Sequence, residues 1–319
     1  GYSGGILSFI CFDGRVRTLI FPTTETGRCR SAKPNMQNVT FKRRMKDFIK
    51  LLGDNDYYKS HPISSVFLAA PGHIFIKADY KGAELVGMAV QAQDKNMIDY
   101  CMRNRLPEDD PNHVCIHSKV AINAFNLRNP VDGSELRPVA AELKKHGFSG
   151  LRDAAKPVDF GYAYGMTAET ADRRIREQVD DFKEGSGKLL IEGLEKEFPR
   201  LPPYYAAARR ATQDPGYIES CYGRRRRFRP TTDRKVTGDQ ERQGMNFPIQ
   251  AFVADAVNIA MANWTDWLDA NPTSRTKLAL QVHDALMWEV PIGEAEWFMA
   301  NVLPFVLYQN VPFWPVTFD

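Results

Sequence analysis

The spacing of apolar and polar positions changes along the chain, and the changes divide it. Near the start, residues 6–12 and 15–21 are short apolar and β-branched runs on either side of Asp13-Gly14, which predicts a hairpin. Residues 66–79 predict two strands about Ala70-Pro71-Gly72, the second being 73–79. From Glu84 the spacing turns helical, over 84–93, 112–125, 139–146, 156–164, 168–182 and 189–211. A β signal returns at 216–229 and is followed by a long helical pattern over 243–271. The chain closes with strand-like 277–281 and 286–290, a helix over 293–307 and strand-like 314–318. Strands towards both ends with helices between them predict an α+β core interrupted by a helical subdomain.

With 319 residues, 43% of them hydrophobic and 25% charged, the chain has the profile of a globular protein and not of a disordered or collagen-like one. The most apolar stretches, 66–77 and 278–290, are broken by Pro, His, Lys or Asp well short of the roughly 20 apolar residues that a bilayer demands. Five scattered Cys form no CxxC pair, and the first residues lack the pattern of a secretory signal; both point to a reducing, cytoplasmic setting. The net charge of +3 hides an uneven distribution: residues 28–50 carry +7 and residues 201–250 carry +5, which leaves −9 for the rest. Such basic stretches are either solvated faces or a surface for a polyanion.

Candidate chemistry lies at four places. Asp79 ends an apolar strand and precedes a helix, where a carboxylate is placed either to hold a divalent cation or to cap the helix. Gln281-Val282-His283-Asp284 lies between two strand-like runs, so it is either a simple turn or a second carboxylate lifted to a sheet edge. Two such carboxylates side by side can share two Mg²⁺ ions. Arg152, Lys156, Phe160 and Tyr164 follow one another at i, i+4, which on a helix gives a stripe of two cations and two aromatic rings. That stripe suits a triphosphate and a base, or else its rings belong to the core. Arg242, Asn246 and Gln250 form a similar row, able to bond phosphates and minor-groove acceptors or to serve as a polar surface.

Taken together, these residues resemble the polymerase domain of a family A DNA polymerase, the group of bacterial DNA polymerase I and many phage replicative enzymes. Ala78-Asp79-Tyr80 with Glu84-Leu85 is similar to motif A, Arg152, Lys156, Phe160 and Tyr164-Gly165 to motif B, and Gln281-Val282-His283-Asp284 to motif C, in the family's order. Thr26-Gly27-Arg28, Pro34-Asn35-Met36-Gln37-Asn38, Ile116-His117-Ser118 and the Arg242, Asn246, Gln250 row extend the likeness from about residue 14 to the end. The resemblance implies a right-hand fold with an antiparallel palm sheet, palm over 1–94 and 236–319, and helical fingers over 95–235. It implies template-directed addition of deoxynucleotides to a primer 3′ end with two Mg²⁺ ions, held by Asp79, Asp284 and the backbone carbonyl of Tyr80 beside the nucleotide. Lys156 and Arg152 would grip the triphosphate with His117, Phe160 and Tyr164 would pack on the nucleotide, and Glu84 would exclude a 2′-hydroxyl. Arg28, Asn35, Gln37, Asn38, Arg242, Asn246, Gln250 and His283 would line the primer-template.

The chain departs from the family pattern at several points. Ala285 replaces the Glu that usually follows His-Asp, Pro157 follows Lys156 and predicts that the helix starts or bends there, and residues 39–65 read as a basic insertion. The thumb has no counterpart here, so the expectation is palm plus fingers, completed by another polypeptide or a preceding region. A non-catalytic primer-template-binding subunit and an RNA polymerase or reverse transcriptase on the same scaffold are the alternatives. Glu184-Gly185-Ser186-Gly187-Lys188 has the outline of a phosphate loop, but Leu189 stands where Ser or Thr is required.

Overall fold

The structure, a computed structural model, describes residues 5–22, 24–38, 67–177, 183–308 and 311. The expected strand at 314–318, the insertion at 39–65 and the end of the helix expected over 168–182 lie outside the described residues.

In chain order the elements are β1 (Leu19–Phe21), β2 (Arg30–Ala32), β3 (His73–Asp79), α1 (Ala83–Ala92), α2 (Lys95–Arg103), α3 (Ile116–Ala124), α4 (Ala140–Lys145), α5 (Ser149–Tyr162), α6 (Ala168–Arg176) and α7 (Ser186–Glu197). They continue with α8 (Leu201–Ala211), β4 (Tyr217–Glu219), β5 (Arg225–Arg227), α9 (Arg234–Ala270), β6 (Lys277–Val282) and β7 (Ala285–Pro291). Short helical turns α10 (Ala295–Trp297) and α11 (Leu303–Leu307) flank a π-helical segment, Phe298–Val302. No helix among the described residues is long and apolar enough to cross a membrane. Two compact units emerge: one takes in the described residues of Gly1–Tyr80 and Ala254–Gln309, the other those of Lys81–Val253.

The first unit is built on an antiparallel sheet of order β3-β7-β6. Its central strand, Ala-Leu-Met-Trp-Glu-Val-Pro, is buried along nearly its whole length, which is why it reads as a continuous apolar run and does not alternate. Trp288 on β7 is fully buried and meets Trp264 and Phe298 with ring centroids 6.0 and 5.8 Å apart. These aromatics bury large areas and anchor the sheet's core. Glu289, 3% exposed, accepts from the Arg15 guanidinium at 3.1 Å and from the Ala70 N–H at 2.6 Å.

In the second unit α3, α5 and α7 pack on one another and α6 packs on α7. The helices approach closely where side chains are small. A Cβ on Gly187 would stand 2.6 Å from the Ala171 Cβ and 2.7 Å from the Ala168 carbonyl oxygen. Gly187→Ala therefore forces backbone to move, and we expect a loss of about 1–3 kcal/mol of stability, read as a lower urea midpoint with unchanged m-value.

Several expected elements form differently. Asp13-Gly14 does turn, with the Cys11 N–H donating to Arg15 and Ile10 bridging Val16, but residues 5–9 wind into a 3₁₀ helix and β1 pairs with β2. Residues 67–70 form no strand, because the Ala70 N–H is spent on Glu289. The helix expected over 189–211 is two helices, broken at 198–200, where Pro199 disfavours helix at Phe198 and Asp94 takes up the Arg200 N–H. Pro157 does not start its helix: α5 begins at Ser149, and buried Ala154, Ala155 and Val158 hold it together across the proline. The glycines of 184–188 offer nothing to a phosphate, since the Gly185 and Gly187 N–H groups both donate to Asp172.

Candidate active site

In the first unit, Asp79 closes β3 and Asp284 sits in the two-residue turn between β6 and β7. Antiparallel pairing puts Asp79 opposite Ala285, and the Tyr80 N–H donates to the Asp284 carbonyl at 3.5 Å. The turn is tight because Val282 pairs with Ala285 and His283 takes a left-handed φ of 58°. Partial desolvation at the strand end, and then the neighbouring Asp284 carboxylate, push the Asp79 carboxyl above its ordinary value. Tyr80 is buried and donates its hydroxyl to the Leu307 carbonyl at 2.9 Å, so its backbone is what faces the carboxylates' chemistry.

The residues expected along a primer-template fall into a linked set in this unit. Gln37 donates to Gln281 Oε1 at 2.7 Å, and Gln281 donates in turn to the His283 carbonyl at 2.5 Å. Asn35 accepts from Ser31 at 2.8 Å, Asn38 closes a 3₁₀ turn, and the backbone around Arg28 is held by Thr24 and by Asn258, which donates to the Gly27 carbonyl. Hydrogen bonds between side chain and backbone thus carry the motif C turn on to the 27–38 segment.

In the second unit, Arg152 and Lys156 lie on α5 and share Asp153, at 3.1 and 3.3 Å. Phe160 sits on the same helix, 5.5 Å from the His117 ring. Tyr164 lies just beyond the helix: α5 ends at Tyr162, and left-handed Gly165 closes the turn that follows. There the Tyr164 hydroxyl donates to Glu84 at 3.3 Å, and Gln250 donates to Glu84 Oε1 at 2.7 Å and to the Tyr164 hydroxyl at 2.6 Å. Glu84 is held in the first turn of α1, whose N-cap Gly82 supplies a left-handed φ of 67°. The row on α9 runs inward, from exposed Arg242, ion-paired with Asp239, through half-buried Asn246 to buried Gln250. It is therefore not a polar surface stripe.

The sequence pattern of DNA polymerase family A matches residues 2–306. The chain belongs to that family. Its relatives include family A members named DNA polymerase I: that of Caldicellulosiruptor bescii is 29% identical over 299 residues, covering 92% of this chain and 30% of the relative, and that of Treponema pallidum is 30% identical over 285 residues, covering 88% and 24%. The chain thus spans at most about a third of the length of these relatives. Among solved structures, the POL domain of Pol1 from M. smegmatis, in complex with DNA primer-template and dNTP, superposes with a TM-score of 0.74 at 25% identity, over 99% of this chain and 48% of that one. The α+β architecture with antiparallel sheets is accordingly that of a family A polymerase domain.

Two residues of this family A chain escape a reading by motif. Asp153 bridges the two cations of α5, and Asp159, wholly buried, lies 2.6 Å from the His117 ring. Asp159 had a signal in the sequence: it occupies a helical position four after Ala155 and one after Val158, in a stripe that is otherwise small and apolar.

Proposed function

We propose that the chain performs template-directed DNA synthesis, transferring a nucleotidyl group from a deoxynucleoside triphosphate to a primer 3′ end and releasing pyrophosphate. The observation that carries this reading is the pair Asp79 and Asp284, brought side by side from the ends of β3 and the β6–β7 turn although 205 positions apart in sequence. Like charges so placed call for a cation. The donors fit Mg²⁺: two carboxylates and the Tyr80 carbonyl are hard oxygens. Mg²⁺ held by Asp79, Asp284 and the Tyr80 carbonyl would supply the charge that activates an attacking oxygen and stabilises a leaving one.

The rest is positioning and electrostatics. Lys156 and Arg152 would draw the triphosphate, and Asp153 keeps their heads together until it arrives. His117 would meet the same phosphates, and Phe160 would pack on the nucleotide. Glu84, fixed by Gln250 and Tyr164, would stand where a ribose 2′-hydroxyl has to fit. The division into palm (1–94 and 236–319) and fingers (95–235) belongs to this proposal, as does the primer-template track of Arg28, Asn35, Gln37, Asn38, Arg242, Asn246, Gln250 and His283.

Primer extension with single nucleotides tests the reading. The chain should add the complementary deoxynucleotide in Mg²⁺, and Glu84→Ala should raise ribonucleotide use by at least about tenfold, the worth of about 1.4 kcal/mol of discrimination. Salt-sensitive DNA binding with no incorporation would overturn it in favour of a binding subunit, a reading that the small, buried Ala285 opposite Asp79 supports. A parent already tolerant of ribonucleotides would point to an RNA polymerase.

A further inference from the structure

We propose that Asp159 is a positioning residue for His117 and that the two side chains form a clamp for a polyphosphate. This rests on the reading of His117 as a phosphate-facing group.

Asp159 is 0% exposed, and a buried carboxylate costs several kcal/mol unless it is paired. Its compensation is one-sided. Oδ2 lies 2.6 Å from His117 Nδ1, whereas Oδ1 is buried without a hydrogen-bond partner among the described residues. A residue kept only for packing would be served better by Asn or Leu in that stripe of Ala154, Ala155 and Val158. The carboxylate does something those residues cannot: it makes Nδ1 the donor, fixes the tautomer, and leaves Nε2 as the nitrogen facing a ligand. The ring, 13% exposed, is steadied by Phe160 at 5.5 Å.

Burial pushes the Asp159 carboxyl up on balance, and the bond to His117 offsets only part of that. No bond to phosphorus changes when a phosphate meets Nε2. The other charged groups of the packed helices are engaged elsewhere or lie along them. Arg152 and Lys156 share Asp153, Lys188 pairs with Glu192, Glu195 accepts from Tyr162, and Glu197 accepts from Tyr100 and Asn123. Lys119 on α3 and Lys196 on α7 lie on the same packed helices.

Nuclear magnetic resonance of the histidine-labelled chain, with inorganic tripolyphosphate as the probe and no DNA, tests this. His117 should carry its proton on Nδ1 in the parent and lose that preference in Asp159→Asn. Tripolyphosphate should move the His117 signals, and Asp159→Asn should bind it about tenfold more weakly. In a His117→Gln background, Asp159→Asn should add no further loss. The same His117 tautomer in parent and variant, or His117 signals unmoved by saturating tripolyphosphate, overturns the proposal. No readout requires incorporation, so a chain that passes these tests but extends no primer keeps the clamp and loses the polymerase reading.

Discussion

Asp79→Asn should lower the rate of single-nucleotide incorporation by at least about 10³-fold, some 4 kcal/mol of transition-state stabilisation, while making the folded chain harder to unfold at neutral pH. The two effects share one cause. In the parent, Asp79 is held beside Asp284 with its carboxyl pushed above the ordinary range by desolvation and by that neighbour. A carboxyl whose pKa is raised on folding binds more protons in the native state than in the unfolded one, so stability falls as pH rises through the window above the ordinary Asp value. Above that window the neighbouring Asp284 penalises an ionised Asp79, and asparagine removes that penalty together with the ability to help hold a cation. Urea unfolding should place the variant's midpoint above the parent's at pH 7 and bring the two together in acid. Mg²⁺ should raise the parent's midpoint and leave the variant's unmoved, because a ligand stabilises only the state that binds it. Equal incorporation by parent and variant would remove the metal assignment, and a variant less stable than the parent at pH 7 would remove the account of the penalty.

Lys156→Ala should lower kcat/KM for the nucleotide by about 10²–10³-fold, the usual worth of one preorganised group aimed at developing charge, with the affinity for primer-template unchanged. Lys156 is half-exposed and its ammonium lies 3.3 Å from Asp153, so the side chain is directed, not packed, and its loss should leave stability within about 0.5 kcal/mol. The loss also frees Asp153 to hold Arg152 alone, at 3.1 Å, which draws the remaining cation away from the phosphates. Lys156→Arg should recover part of the activity, since it returns the charge in a planar fork where a compact ammonium stood. Asp153→Ala in the same assay separates the two contributions: it should tighten nucleotide binding modestly if Asp153 only restrains the cations. Pre-steady-state incorporation at varied nucleotide concentration measures all three variants. An unchanged kcat/KM in Lys156→Ala would take the triphosphate away from α5.

How far the site could be read from the chain alone differs from residue to residue. Asp284 was legible because two strand-like runs flank a short gap, and local turn chemistry suffices to place a carboxylate there. Asp79 was legible as a strand end, but its pairing with β7, more than 200 positions away, was not, since strand partners are chosen by burial across the sheet and not by neighbours in sequence. Arg152, Lys156 and Phe160 do share one helix, α5, as their spacing predicts, whereas Tyr164 lies past its end, in the turn that Gly165 closes. Gln250 reads as one more polar residue in a helical row, and its bonds to Glu84 and Tyr164 appear only when three distant segments meet.

By itself, then, the chain determined its period changes, its turn at His283-Asp284, the order of its motifs and so its membership of a polymerase family, all of which depend on interactions within a few residues or on residue identity. Only the tertiary structure decided that Asp79 and Asp284 stand together, that Glu84 is clamped by Gln250 and Tyr164, and that Asp159 is an inward carboxylate bound to His117. The physical reason is that a charged side chain has the same covalent chemistry on a surface as in a core. Packing from elsewhere in the chain removes its water, and that removal changes its partners and its proton affinity.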